Sequence, residues 1–155
     1  MPITRSIFWA AARAELVTRT PKIGALAVVL HQDQVLLVQR SKQPDAGLWG
    51  FPGGHVEWGE TVLKAAQREL QEETSVIAEP LHYLKNLDLL RSDPQGQVLS
   101  HYLLVGVACQ YLSGTPKAGD DALDARWFPI DQIRKGDLPT SARVVDLMEY
   151  ALCAG

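Results

Sequence analysis

Apolar and polar positions alternate in two different rhythms along this chain. Lys22 to Leu30 (KIGALAVVL) is a valine-rich apolar run, and Val35 to Val38 (VLLV) is a second. The polar residues His31 to Gln34 lie between them, so the pair predicts a β-hairpin buried in a sheet. Ser41 to Gly54 holds two prolines and four glycines and predicts a loop. From Thr61 to Thr74 the period lengthens. Val62, Ala66 and Leu70 recur every fourth residue with Leu63 beside them, predicting a helix that Thr61 caps. Leu81 to Leu90 and Val98 to Leu112 predict strands joined by the turn Asp93-Pro94-Gln95-Gly96, with proline at its second position. A polar loop covers Ser113 to Asp121 and a short strand Ala125 to Ile130. A last helix is expected over Ser141 to Cys153, capped by Ser141, with Val144, Val145, Leu147, Met148, Ala151 and Leu152 inward. Strands and helices mix without repeat or linker, which predicts a single α/β layered domain over 1–155, with residues 1–21 as an N-terminal extension.

Composition narrows the class. With 155 residues, 46% of them hydrophobic, the chain is long enough to bury a core. Its net charge of −3 is opposite to the bias of a nucleic-acid polymer binder, while a nucleotide substrate needs no basic protein if a cation neutralises its phosphates. Cys109 and Cys153 form no CxxC pair and are expected to be reduced. No apolar run approaches the ~20 residues of a membrane span. Ile7 to Ala12 is shorter than a secretory core and is closed by Arg13 and Glu15, so it is expected to be a surface or dimer-contact segment of a cytoplasmic protein.

The informative stretch is Arg68-Glu69-Leu70-Gln71-Glu72-Glu73. On a helix, Glu69, Glu72 and Glu73 point to roughly one side, where each like-charged pair costs about 0.2–0.5 kcal/mol. The helix dipole penalises acids in the last turns by a further ~0.3–1 kcal/mol each. Arg68 can offset one charge. A hard divalent cation would offset the rest; a solvated acidic face is the alternative. The preceding Phe51-Pro52-Gly53-Gly54 places two glycines where backbone must turn sharply or approach closely, and Glu57 and Glu60 follow.

Gly54, five residues, Glu60, seven residues, then Arg68 to Val76 resembles the box of the Nudix hydrolase family, G-x5-E-x7-R-E-U-x-E-E-x-G-U with U aliphatic. The match covers 23 residues and departs at one defined position, where Ser75 replaces a glycine. The flanking Leu48 to Gly54 and Ala125 to Phe128 also look like the family. The resemblance implies an α/β/α sandwich with a mixed β-sheet between helices, and hydrolysis of a diphosphate bond in a nucleotide derivative with Mg²⁺ or Mn²⁺. It implies Glu69 and Glu73 as metal ligands, Glu72 as ligand or proton acceptor, and the Gly54 carbonyl as a further ligand. Glu57 would join a second metal, and Glu60 and Arg68 would brace loop and helix. Asp121, beside Asp120 in the loop before the last strand, would be ligand or general base. Arg40, Trp49, Phe51, Gly53 and Gly54 are the expected substrate-side residues, with Trp58 and Tyr102 as further aromatics able to stack on a base. His101 and Trp127 are expected to be structural. Ser75 is expected in a left-handed helix cap, where a non-glycine residue costs about 1 kcal/mol.

The box fixes the reaction and leaves the substrate open. The stretch between box and Trp127 resembles ADP-ribose pyrophosphatases. No Ser-Gln-Pro-Trp-like motif follows the box and no tyrosine lies between Leu89 and Gly96, which disfavours NADH- and diadenosine-polyphosphate-cleaving subgroups. Leu48-Trp49-Gly50-Phe51-Pro52-Gly53-Gly54 is shared with enzymes that clear oxidised nucleoside triphosphates. A binding module that holds a nucleotide derivative without cutting it is a third reading, and its usual eroded glutamates or attached DNA-binding domain are not found here. A homodimer is a family-level expectation.

Overall fold

The computed structural model describes residues 19–119 and 121–155. The apolar segment Ile7 to Ala12 and Asp120 lie outside the described residues. Seven strands form one mixed sheet: β1 (Lys22–His31), β2 (Gln34–Arg40), β3 (Trp49–Gly50), β4 (Gly53–His55), β5 (Ile77–Ser92), β6 (Val98–Ser113) and β7 (Ala122–Pro129). Among the described residues the helices are α1 (Val62–Thr74), α2 (Ile130–Lys135) and α3 (Val144–Ala154). The path β3-β2-β1-β6-β5 forms the spine, with β4 also on β1 and β7 also on β2. The β1–β6 pair is parallel and the other pairs antiparallel.

Alternation along β1 divides the core into two layers. Ala25, Ala27 and Val29 face one side, where Ala65, Ala66 and Leu70 of α1 cover them. Val28 and its partly buried neighbours Leu26 and Leu30 face the other, against Val144, Leu147, Met148 and Ala151 of α3. A strand whose successive side chains reach opposite helices reads as a continuous apolar run, which is why Lys22 to Leu30 shows no simple alternation. The expected β1–β2 hairpin is present, and Gln32 and Asp33 at its tip both take positive φ (49° and 59°). Such turns match the twist of the flanking strands.

The sequence and the structure part company at the ends of elements. The strand expected over Leu81–Leu90 extends to Ile77–Ser92, because β6 pairs with it along nearly its whole length. Within the expected loop Ser41–Gly54 lie two very short strands, β3 and β4, recruited by β2 and β1. Ile130 opens α2 rather than closing β7. Ser141 does not cap the last helix. Residues 139–141 are zipped onto β3 instead: Trp49 N–H donates to Pro139 C=O at 2.9 Å and Ser141 N–H to Trp49 C=O at 2.8 Å. Arg143, in the left-handed region, then starts α3 without any side-chain cap, and Ser141 Oγ is buried with no hydrogen-bond partner. Both cysteines are free thiols, and burial pushes that of Cys109 up to about 12. Among the described residues no helix is long and apolar enough to cross a membrane.

At the other helix the local rules hold. Thr61 Oγ1 accepts from Lys64 N–H at 3.3 Å, and Ser75 closes α1 in the left-handed region at φ 60°. Ser75 is exposed, and a β-carbon there is strained without offsetting contact. Ser75→Gly is expected to be neutral or to stabilise the protein by up to ~1 kcal/mol. Chemical denaturation checks this, and a loss of that size would show that the serine is required.

Candidate active site

The site is assembled where the C-terminal half of α1 meets the glycine turn. β4 lies antiparallel on β1, with Leu26 opposite Gly53 and Ala25 opposite Gly54. Neither glycine tolerates a side chain. A β-carbon on Gly53 would lie 2.1 Å from the Ala25 carbonyl oxygen, and one on Gly54 would lie 2.4 Å from the Glu69 carboxylate carbon. The turn is therefore glycine so that backbone can press against β1 on one side and carboxylates on the other. Gly53 N–H donates to Glu73 Oε2 at 3.0 Å, which ties the end of the helix to β4.

Glu73 is held in an unfavourable setting for a charge. Burial pushes its carboxyl up to about 7, and the negative charges of Glu69 and Asp121 add to the rise, while Gly53 N–H and the Arg40 guanidinium oppose it. Beside it, Arg68 organises the other acids. Its Nε and Nη2 grip Glu60 at 2.8 and 3.0 Å, Nη1 reaches Glu69 at 2.7 Å and Glu72 at 3.3 Å, and Nη2 also donates to His55 C=O at 3.0 Å. The fork–fork pair with Arg68 holds Glu60 down to about 2. The brace between Glu60 and Arg68 expected from the sequence is thus present.

One guanidinium serves three carboxylates, and Glu73 has none. Carboxylate oxygens of Glu69 and Glu73 beside the Gly53–Gly54 main chain make a hard, all-oxygen donor set of the kind Mg²⁺ or Mn²⁺ takes. The residues present fit such an ion. Among the described residues no three acid, imidazole or thiol side chains are already gathered tightly enough to hold a cation, because Arg68 draws Glu69 and Glu72 toward itself.

A model of the NUDIX domain matches residues 20–148. The chain belongs to the Nudix family. An ADP-ribose pyrophosphatase of Methanocaldococcus jannaschii is 34% identical over 130 residues, 84% of this chain and 75% of that protein. The mouse 8-oxo-dGDP phosphatase NUDT18 is 33% identical over 125 residues, 79% of this chain and 35% of that longer protein. Among solved structures, a MutT Nudix hydrolase from Burkholderia pseudomallei aligns with a TM-score of 0.72 at 27% identity, covering 85% of this chain and 98% of that one. This Nudix chain is a pyrophosphohydrolase, acting on an acid anhydride of a small nucleotide, and Nudix hydrolases generally use a divalent metal ion.

The remaining residues singled out in the sequence scatter around this centre. Asp121 lies within electrostatic reach of Glu73. Lys42 Nζ pairs with its carboxylate at 2.8 Å, and Ser41 Oγ donates to its carbonyl at 2.8 Å. Arg40 ends β2 on the same side as Glu73. Glu57 is exposed, and it is its backbone that engages Glu60. Trp49 and Phe51 are buried core residues, Trp49 edge-on to Phe128 at 4.7 Å, so their rings serve packing and offer no open face to a base. Trp58 is fully exposed, and Tyr102 meets His55 Nε2 at 3.1 Å through its hydroxyl. Trp127 is only partly buried, packing edge-on to Tyr111.

Sequence reasoning missed the clamp on the end of α1. Lys117 and Gly119 N–H donate to the Thr74 and Glu73 carbonyls at 2.9 Å each, and a β-carbon on Gly119 would lie 1.9 Å from the Glu72 carbonyl oxygen. The glycine in a polar loop was the available signal; its partner, 46 residues earlier by backbone bond to Glu73, was not.

The raised Glu73 carboxyl has a stability consequence in metal-free protein. Between the unfolded carboxylate value of 4.5 and about 7, the folded state holds more protons on Glu73 than the unfolded state. Stability therefore falls as pH rises through that window and stays low above it. Glu73→Gln keeps an acceptor for Gly53 N–H and removes the charge. In EDTA this variant is expected to be more stable than the parent at pH 8, by on the order of 1–3 kcal/mol, with the gain shrinking toward pH 5. Thermal melts across that range check it; a pH-independent difference would refute the charge argument.

Proposed function

We propose that this chain is a Mg²⁺- or Mn²⁺-dependent pyrophosphohydrolase whose substrate is ADP-ribose, cut to AMP and ribose 5-phosphate. The observation that carries the metal dependence is Glu73: a part-buried carboxylate bonded to the Gly53 N–H of the glycine turn, within reach of the negative charge of Glu69 and in no ion pair among the described residues. The relative that supports ADP-ribose is the archaeal pyrophosphatase, matched over three quarters of its length.

In this reading Glu69, Glu73 and the Gly54 carbonyl would hold the cation, and Glu72, whose contact with Arg68 is exposed, would be a further ligand or the acceptor of the water proton. Glu57, exposed beside the glycine turn, would be a ligand to a second ion. The bound ion supplies charge neutralisation on the diphosphate and acidifies the attacking water. The protein's own residues do the rest. Arg68, clamped by Glu60, keeps Glu69 in place and holds Glu72 only through the longer 3.3 Å contact. Arg40 offers its guanidinium to a phosphate oxygen, and the Gly53–Gly54 backbone lets the diphosphate approach closely. Asp121, within electrostatic reach of Glu73, would join the metal or, where Glu72 is a ligand, accept the water proton in its place. Trp49 and Phe51 support the glycine turn from beneath.

A second reading has its own support. The relatives named 8-oxo-dGDP phosphatase and oxidized purine nucleoside triphosphate hydrolase match this chain at 33% and 29% identity. Under that reading the same acids cut an oxidised nucleotide, and a triphosphate releases pyrophosphate.

Two measurements test these assignments. Turnover should vanish in excess EDTA and return with Mg²⁺ or Mn²⁺, and Glu73→Gln should lower kcat at least ~100-fold while leaving the fold intact. Near-parental turnover in either condition would remove the metal assignment. On a substrate panel, kcat/KM is expected to be highest for ADP-ribose, with AMP and ribose 5-phosphate resolved by chromatography. A ten-fold or greater preference for an oxidised guanine nucleotide would put the second reading in its place.

A further inference from the structure

Glu73 is held from two directions by glycines that are distant in sequence. Its carboxylate accepts from Gly53 N–H at 3.0 Å, and its main-chain carbonyl accepts from Gly119 N–H at 2.9 Å. The first bond ties the helix to β4. The second presses the loop before β7 onto the last turn of α1. At that second contact there is no space for a side chain. A β-carbon on Gly119 would overlap the Glu72 carbonyl oxygen, and would lie 2.9 Å from the Glu72 carbonyl carbon and 3.2 Å from Glu73 Cα. All three are main-chain atoms of the helix, so no side-chain rotation relieves the clash. The loop is also restrained on both sides of this point. Lys117 N–H donates to the Thr74 carbonyl at 2.9 Å, and Gly114 is so close to the helix cap that a β-carbon there would lie 2.8 Å from the Ser75 carbonyl oxygen. Beyond Gly119, Ser41 Oγ donates to the Asp121 carbonyl at 2.8 Å.

The other side of the same helix is equally tight, because the Glu69 carboxylate fills the space that a side chain on Gly54 would need. The end of α1 is thus wedged between the glycine turn and the loop, and a methyl group at 119 has to be absorbed by the Glu72–Glu73 main chain. We propose that Gly119 is a positioning residue for the metal ligands. By admitting the loop main chain against the Glu72–Glu73 peptide, it sets the height of the last helical turn over Gly53 and Gly54. The inference rests on the reading in which Glu69, Glu73 and the Gly54 carbonyl hold a divalent cation, and adds the part of the fold that sets their spacing. Spacing matters because Mg²⁺ demands near-ideal octahedral geometry. Residues that orient ligands from behind typically count for ~10- to 100-fold in metal affinity or activity.

Calorimetric titration of Mn²⁺ alone, without nucleotide, tests this in parental protein, Gly119→Ala and Gly114→Ala. Gly114→Ala is the matched control. Its backbone is at φ 99°, so a side chain strains the same loop, but the new methyl meets Ser75 and Val76 and leaves the Glu72–Glu73 peptide alone. Both variants are expected to melt below the parent. Gly119→Ala should weaken Mn²⁺ binding at least ~10-fold and, at saturating Mn²⁺, lower kcat ~10- to 100-fold with little change in KM. Gly114→Ala should bind Mn²⁺ within about two-fold of the parent. Parental affinity in Gly119→Ala, or an equal loss in both variants, overturns the inference and leaves the metal reading standing. No Mn²⁺ binding by the parental protein overturns both. A readout on parental protein covers a Gly119→Ala variant that does not fold. In its amide spectrum, Mg²⁺ should shift the Gly53 and Gly119 resonances with one midpoint and leave the remote Gly136 unmoved. Movement of Gly53 without Gly119 overturns the inference.

Discussion

A backbone N–H held against a carboxylate joins the two halves of this molecule. Gly53 donates to Glu73, and through that bond the end of α1 is fixed to β4 and so to the centre of the sheet. The contact requires that no side chain intervene, which is why the turn is Gly53-Gly54, and that α1 end where it does, which is why Ser75 accepts a left-handed backbone. The same bond holds a carboxylate in a place where burial opposes its charge. The helix end is anchored by an interaction that also leaves negative charge uncompensated, and structure and chemistry meet at one atom pair.

Arg68 supplies the complementary constraint. With its fork on Glu60 and its remaining N–H on Glu69 and Glu72, it keeps three acids in order. Its contacts are unequal. Glu60 is held by two bonds in a largely shielded position, while Glu72 is met at 3.3 Å and is more than half exposed. An exposed ion pair of that kind is worth little, so Glu72 is the acid most easily redirected. This inequality lets one arginine brace the loop against the helix while leaving Glu72 loosely held.

Much of this was legible in the sequence because the governing interactions are local. The four-residue spacing of α1, its Thr61 cap and the spacing of Glu69, Glu72 and Glu73 depend on neighbours within two turns, and the structure reproduces them. What escaped was set by partners far along the chain. Ser141 has the residue type of a helix cap, but Trp49 claims its backbone and displaces the helix start to Arg143. β3 and β4 are too short to show any periodicity and exist because β2 and β1 offer them edges. Trp49 and Phe51 read as ligand-facing aromatics beside a glycine turn, yet the strand pairing turns them into the core. The link between Ser41 and Asp121 spans 80 positions, and no pattern within a window could announce it.

The loop that closes over the end of α1 is held by main chain. Lys117 and Gly119 bind the helix carbonyls through their N–H groups, and at 119 the constraint on residue type is the absence of a side chain. Its location is thus recorded in the backbone and in one glycine, while Thr115, Pro116 and Ala118 carry no share of those two bonds. Such a loop is free to drift. Substitutions at its other positions can alter the surface beside the end of α1 while the two main-chain bonds to the Thr74 and Glu73 carbonyls persist. A scaffold built in this way can exchange one nucleotide for another over generations without having to rediscover its chemistry.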